Sequence, residues 1–515
     1  MQPLVNTDLR LDDVLDEHRR TRPREIAVVD GEVRFDYAEM AARNDRLVAL
    51  LQERGVRPGS RVAWVGQNSF RVLELMLAAG RLGAMVCPVN WRQSIPELSF
   101  VLADLDPVLT VADATGLGEA VEALQSEATA RPWLMVDDGA SGYETVLGAV
   151  EATGVQHDLA DDSFPLLIMY TAAHEGRPNG AMMSHRGLLA AAVLHATMNG
   201  AFERRPTFLA CSPLYHIATL MGCLSTFVLG GTNVYLPRVD AKEIRQLIDD
   251  EGCTWAYITG PTIGQLAEAA EDAGSRLPSL SRPNAYSVAD RRWEQFGIPS
   301  SAPWSLHPGS FGQTEMTGMI TYTALGVGAA GAAGRTSPWC LTRLVDAYDN
   351  EVEPGETGEI TARGVTAGAG FWNRPELNAV RCRGGWWHTN DLGRREADGS
   401  LSFVGPKTRM IKSGKENIYP AEVERCLREH PLIADAAVIG VPDEVWEQNV
   451  TAVVVLRDGA AVSEEDVIVH CRTAIASYKK PKAVVFADVL PRVNGQLDRD
   501  ALDRAYGGGG YPGVG

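Results

Sequence analysis

The sequence predicts an α/β protein in which a large, multi-sheet N-terminal domain is followed by a small α+β C-terminal domain. Three observations carry this. Strand-like and helix-period runs alternate up to about residue 310, the rhythm of an α/β sheet with covering helices. After residue 330 the texture changes to short strands and turns. From about residue 410 a separate pattern begins, with the length of a small independent domain. At 515 residues and 45% hydrophobic content the chain can bury more than one core. The expected division is 1–408, 409–505 and a Gly-rich tail at 506–515.

In chain order, IAVVD reads as a strand, DYAEMAARNDRLVALLQERG as a helix, RVAWVG as a strand, LELMLAAGRLG as a helix and AMVCPVN as a strand. PLLIMY at 165–170 is a strand, YTAAHEGRPNG at 170–180 holds a flexible turn, and MMSHRGLLAAAVL reads as a helix. The rhythm returns in TFLACSPLYH, TNVYLPR, IRQLIDDEG and TWAYITG. VDAYDNEVEPGETGEITARG and ADGSLSFVG read as hairpins. The last domain takes NIYPAEVERCLREH and EEDVIVHCRTAIA as helices beside DAAVIGVPD, VTAVVVL and AVVFADVLP. Pro420 with Ala421 and Glu422 marks a helix N-terminus, which makes Glu422 and Glu424 helix-end or solvated carboxylates rather than catalytic ones. The boundary falls near KTRMIKSG. The tail YGGGGYPGVG is expected to hold no fixed conformation.

A net charge of −18 argues against nucleic acid or an anionic membrane surface as partner. No stretch approaches eighteen uninterrupted apolar residues, so no span is expected. The N-terminus lacks the basic start and apolar run of a secretion signal. Eight scattered cysteines without paired spacing suit small buried side chains in a reducing cytoplasm, with neither disulfides nor a metal site.

The turn at 170–180 resembles the phosphate loop of the adenylate-forming acyl-CoA synthetase family, usually YTSGTTGxPKG. Further matches follow in family order: PVN at 88–90, PLYH at 213–216, FGQTE at 311–315, GWWHTNDLG at 385–393 and IKSGKENIYPAEVE at 411–424. No single motif is decisive, but their order and spacing extend the resemblance over nearly the whole chain. It implies the adenylate-forming synthetase fold, with a mobile C-terminal domain that rotates between one pose for making acyl-AMP and another for attack by coenzyme A.

The resemblance assigns AMP binding to Phe311, Gly312, Thr314, Glu315 and Asp391. Phe311 would lie against adenine, Thr314 would bond the α-phosphate, Glu315 would help hold Mg²⁺ when ATP is bound, and Asp391 would accept from the ribose hydroxyls. Alone, Phe311 is equally a core aromatic and Asp391 a turn carboxylate. His216 would line the acyl pocket or gate the CoA channel, with a satisfied buried histidine as the plain alternative. Gly414 and Lys415, in a hairpin that enters the site in the CoA pose, would lie beside pantetheine; Gly414 is otherwise an ordinary hairpin glycine. Arg409 takes the hinge position.

The loop has lost its phosphate chemistry. Ala172, Ala173 and His174 stand where Ser, Gly and Thr are usual, Glu175 replaces a second Thr, and Asn179 replaces the Lys. Pro406 replaces the Arg of GRxxD, and Gln496 replaces the catalytic C-terminal Lys. SVA at 287–289 stands for a glycine-rich adenine-supporting strand, and WEQ at 446–448 for a WGE-like stretch. Removing one preorganised charged donor from a site of developing negative charge costs roughly 3–4 kcal/mol, and two or three losses would slow adenylation by about 10⁴ or more. Glu175 would add repulsion of roughly 4 kcal/mol if it lay about 4 Å from a phosphate charge at an effective dielectric near 20.

Thioester formation has no β- or γ-phosphate to hold and spares these positions. The expectation is therefore a ligase that takes a preformed acyl-adenylate and CoA and returns acyl-CoA and AMP, without needing Mg²⁺. The pattern is similar to non-adenylating ligases of antibiotic biosynthesis, whose substrates are bulky diterpenoid acids. Such an enzyme would make transient contact with a separate adenylating enzyme; a homodimer is the general prior. A complete two-step synthetase, with His174, Arg177, Lys407 or Arg409 in compensation, and a silent acyl-adenylate-binding partner are the rivals. Gly222, Gly260 and Gly318 would leave room for a large acyl group or serve turns and close packing.

Overall fold

The computed structural model describes the chain except residues 1–6, 128–131, 138, 153–160, 172–176, 199–204, 259, 281, 284–309, 326–328, 408, 414–415, 494–495 and 512–515. Two six-stranded sheets build the large domain. One runs Trp133–Met135, Leu109–Ala112, Arg61–Val65, Met85–Pro88, Pro165–Thr171, Asn179–Ser184 from edge to edge. The other runs Arg282–Pro283, Trp255–Ala256, Thr207–Ala210, Thr232–Tyr235, Ile26–Asp30, Val33–Asp36. Both are parallel except for one antiparallel edge strand.

The near-continuous apolar runs of the parallel strands reflect burial on both faces. The largest core fills the space between the sheets, where Val62, Leu109 and Leu167 meet Val28, Phe208 and the helices Tyr37–Glu53 and Arg71–Arg81. Outer clusters sit under Ala241–Glu251 on one sheet and under Ile95–Leu105 on the other. Ile95–Leu105 starts where it does because Ser94 and Glu97 form a reciprocal capping box with Pro96 in the first turn.

One segment differs from its sequence reading. The run beginning MMS was expected to be helical, yet Asn179–Ser184 is a strand antiparallel to Pro165–Thr171, and the helix begins at His185. Close approach explains it: a Cβ on Gly180 would lie 2.8 Å from the Ile168 side chain, so glycine lets the strand return. The turn is therefore strand–loop–strand.

Beyond these sheets, Cys340–Val345, Thr357–Gly364, Trp387–Arg395 and Leu401–Pro406 form a four-stranded antiparallel sheet. A last sheet carries Ile411–Ser413, Glu416–Ile418, Ile433–Asp443, Glu447–Leu456 and Ala483–Phe486, with its own cores on its two faces.

The Gly-rich tail departs from the expected disorder as far as Tyr511. Tyr506 ends the helix Arg499–Tyr506, and Tyr511 is buried. Its hydroxyl accepts from Gly440 N at 3.0 Å and donates to Asp503 at 2.9 Å. Glycines permit the bend; one aromatic anchor fixes it. All eight cysteines are unpaired, and seven are buried, with Cys382 exposed. Among the described residues no helix is long and apolar enough to cross a membrane.

Candidate active site

The FGQTE segment folds as a tight hairpin. Gly312–Gln313 pairs with Gly318–Met319, and Thr314–Met316 forms a 3₁₀ turn between them. Gly312 is required there, because a Cβ would lie 2.3 Å from the Gly318 carbonyl oxygen. Thr314 is half-buried on the turn. Glu315 points inward, accepts from Thr171 Oγ1 at 3.3 Å, and burial pushes its carboxyl up.

Gln313, which carried no separate role in the motif, joins this hairpin to the strand bearing Asp391. Its Nε2 donates to Asp391 Oδ2 at 2.5 Å and to the Thr389 carbonyl at 2.8 Å, while its Oε1 accepts from Trp387 Nε1 at 3.2 Å. Burial raises Asp391 to about 6, against the lowering effect of the Gln313 bond. Asn390 beside it takes a left-handed φ of 62°, and its N–H donates to Glu359 at 3.0 Å. Phe311 is buried, with its ring stacked on Phe403 at 5.6 Å between centroids, so part of its surface belongs to the core.

Ala172, Ala173, His174, Glu175, Gly414 and Lys415 lie outside the described residues, as does the SVA stretch. Asn179 is placed, paired across the strands with Thr171. Its Oδ1 accepts from Arg374 Nε at 2.9 Å. The same guanidinium pairs with Asp104 at 2.8 Å, and Asp104 accepts from Tyr170 at 2.8 Å. Arg381 donates to the Thr389 carbonyl at 3.0 Å and acts electrostatically on Glu315, Asp391 and Tyr419.

Two guanidinium groups thus stand near the altered loop position and the Asp391 strand, although the substitutions at 179, 406 and 496 led to an expectation of lost cations. Of the substitutes named from sequence, His174 lies outside the described residues and the others are engaged elsewhere: Arg177 over Phe100 at 5.0 Å, Lys407 on Glu359 at 2.7 Å, Arg409 in the small domain. Motif spacing gave no sign of Arg374, which lies 195 positions from Asn179.

The small domain turns its first hairpin toward this site. Ile411–Ser413 and Glu416–Ile418 pair antiparallel. Glu416 reaches Arg92 at 3.2 Å and His216 Nε2 at 3.9 Å. His216 precedes the helix Ile217–Val228 and is largely exposed, not a buried structural histidine. Opposing charges around Glu416 hold its carboxyl low in spite of burial. Burial pushes up the phenol of Tyr419, just beyond the hairpin, and the neighbouring Asp391 and Glu315 carboxylates add to this.

The three remaining altered or hinge positions are also placed. Pro406 lies opposite Asp391 across the strands. Gln496 pairs with Val493 in a hairpin whose Arg492 bonds Asp435 of the small domain at 2.5 Å. Arg409 bonds Asp500 and Asp503 and stacks over Tyr511 at 5.0 Å. Gly222 makes no space for an acyl group, since a Cβ there would lie 2.4 Å from the Phe208 ring, and Gly318 serves a φ of 111°. Gly260 opens the helix Gly260–Ala273.

The family model for AMP-binding enzymes matches residues 15–372, and the model for their C-terminal domain matches 422–495. An indoleacetate–CoA ligase of Aromatoleum aromaticum is 32% identical over 94% of this chain and 95% of its own. A feruloyl-CoA synthase of Amycolatopsis sp is 32% identical over 95% and 97%. Among solved structures, a double mutant of o-succinylbenzoate CoA synthetase from Bacillus subtilis, bound with its product analogue, superposes with a TM-score of 0.81 at 25% identity, covering 96% of this chain and 98% of that one. A fatty acyl CoA synthetase of Mycobacterium tuberculosis gives 0.69 at 27% identity, covering 97% and 98%.

Proposed function

The chain belongs to the AMP-binding enzyme family, among its acyl- and aryl-CoA ligases, and from that premise we propose that its principal reaction is the thioester-forming half. The sulfur of CoA attacks the carbonyl carbon of an acyl-adenylate, the C–S bond forms, and the C–O bond to phosphate breaks with its electron pair leaving on AMP. The thiol proton passes to the His216 imidazole or to water. Asp391 and Gln313 hold the nucleotide end, and Gly414 and Lys415 serve the pantetheine end.

The observation that carries this reading is the docking of the Ile411–Ile418 hairpin, with Glu416 between Arg92 and His216 and Tyr419 beside Asp391. Every conspicuous loss (Asn179, Pro406, Gln496) falls on the other half-reaction. Glu315 and the Thr171 hydroxyl offer few donors, which suits a magnesium ion held mainly by the oxygens of a triphosphate. Bound there, such an ion would neutralise phosphate charge. Thioester formation has no triphosphate, so we expect it to proceed without Mg²⁺.

A bulky apolar acid, diterpenoid-like in the strongest form of the reading, would arrive as its adenylate from a separate enzyme in transient contact. The aromatic acids in the relatives' names support a bulky acyl group. They do not reach the diterpenoid class.

A second reading, the complete ATP-dependent synthetase, is favoured by one observation: the Arg374 guanidinium lies 2.9 Å from Asn179, where the loop Lys is usual. Its pairing with Asp104 offsets much of its charge, which leaves the first reading ahead. Purified protein with candidate acids, ATP and Mg²⁺ is assayed for pyrophosphate exchange, then given synthetic acyl-AMP and CoA. Thioester without exchange is expected. Exchange at rates ordinary for a synthetase would establish the second reading, and inertness in both assays would leave only a binding protein.

A further inference from the structure

Lys479 is buried where the two domains meet, and its ammonium lies 2.7 Å from Glu97 and 2.7 Å from Glu422. The carboxylates come from different domains. Glu97 stands in the first turn of Ile95–Leu105, its other oxygen accepting from Ser94 N at 2.9 Å and from Ser94 Oγ at 3.0 Å. Glu422 stands in the first turn of Pro420–Arg428, and its second oxygen is buried without a hydrogen-bond partner. The single Ser94 Oγ–H is shared with the Ala474 carbonyl, 2.8 Å away across the same seam.

Two helix beginnings thus converge on one cation. Helix N-termini favour a carboxylate, but two carboxylates brought together away from water repel. A buried ion pair adds little over an apolar replacement of both partners, whereas removing one partner strands a buried charge at high cost. Here the stranded charges would sit on opposite sides of the seam, so separating the domains would relieve them. Burial drives the Glu422 carboxyl up against the lysine's opposing effect, and the lysine itself is held protonated.

We infer that Lys479 is a positioning residue that holds the small domain in the CoA-attack pose by neutralising Glu97 and Glu422 across the seam. It touches no reacting atom. The inference rests on the thioester reading for its catalytic consequence, but not for its geometry.

The test uses the full chain in a Cys382→Ser background, with spin labels at Glu119→Cys and Asp458→Cys and AMP bound. In the otherwise unchanged chain the interlabel distance is expected to be dominated by one narrow population. Lys479→Met should remove most of it, and Lys479→Arg should retain it. Thioester formation from acyl-AMP should fall about a hundredfold or more, while acyl-AMP hydrolysis without CoA holds. Because Lys479→Met strands two charges and could weaken folding, the triple variant with Glu97→Gln and Glu422→Gln is measured beside it. Recovery of the narrow population there supports charge neutralisation. An unchanged distance in Lys479→Met, or a shift the triple variant does not reverse, overturns the inference. A chain that makes no thioester yet shows the reversible shift overturns the thioester reading alone.

Discussion

At the scale of single residues, Asp391 sets a measurable pH dependence. Burial raises its carboxyl to about 6 in the free protein, so it is ionised at neutral pH and takes up a proton as pH falls through 6. On the proposed reading ribose hydroxyls donate to the carboxylate, and a protonated acid loses acceptor capacity. Binding of AMP should therefore weaken as pH drops from 7 to 5, approaching tenfold per unit below the pKa. Calorimetric titration of AMP across that range checks it, and Asp391→Asn should bind weakly with a flat profile. A flat profile in the unmodified protein would remove Asp391 from the nucleotide site. HTNDLG singled out Asp391 as a candidate, whereas its bond to Gln313 left no sign in the sequence. A motif names chemistry at one place in the chain, but a hydrogen bond across 78 positions leaves no mark in local spacing.

At the scale of elements, the loop strand and its return strand decide what the lost lysine is worth. Asn179 opens the return strand, so a lysine there would start from a fixed backbone beside Arg374. Asp104 absorbs part of that guanidinium's charge, which makes a second cation tolerable. Asn179→Lys combined with Gln496→Lys is expected to raise pyrophosphate exchange by about 10²-fold, the worth of one well-placed charged donor. No gain would locate the main block in Glu175 or the altered SVA sequence at 287–289. The return strand also shows why sequence reading failed locally. MMSHRGLLAAAVL is apolar on every face, so period alone cannot divide strand from helix. The division comes from Gly180 meeting Ile168, a contact between strands. Where a short apolar run was bounded by polar or turn residues, as in IAVVD and RVAWVG, the expected strands are present.

At the scale of the molecule, the end of the chain braces the segment that joins the domains. Arg409, read as the hinge, is held by Asp500 and Asp503 and lies over Tyr511, whose hydroxyl also bonds Asp503. Gly509 N donates to the Gly440 carbonyl at 2.9 Å, and its own carbonyl accepts from Gln448 Nε2 at 2.6 Å. Composition alone pointed to a free tail, because glycine loses more conformational entropy on ordering than any other residue. Burying one tyrosine ring offsets that loss, with roughly 1.5–3 kcal/mol expected for a large apolar side chain. Deleting residues 507–515 should therefore destabilise the small domain by about 2–4 kcal/mol, since it also leaves the buried Gly440 N–H without its partner. Tyr511→Phe should cost about 1 kcal/mol, keeping the ring but losing its hydroxyl bonds. Denaturant titrations would measure both, and equal stability of the truncated and full chains would return the tail to the free state its composition suggests. Because Arg409 would lose a stacking partner while keeping both aspartates, the truncation should also broaden the distance between the domains. Pose and local stability would then be coupled through one arginine.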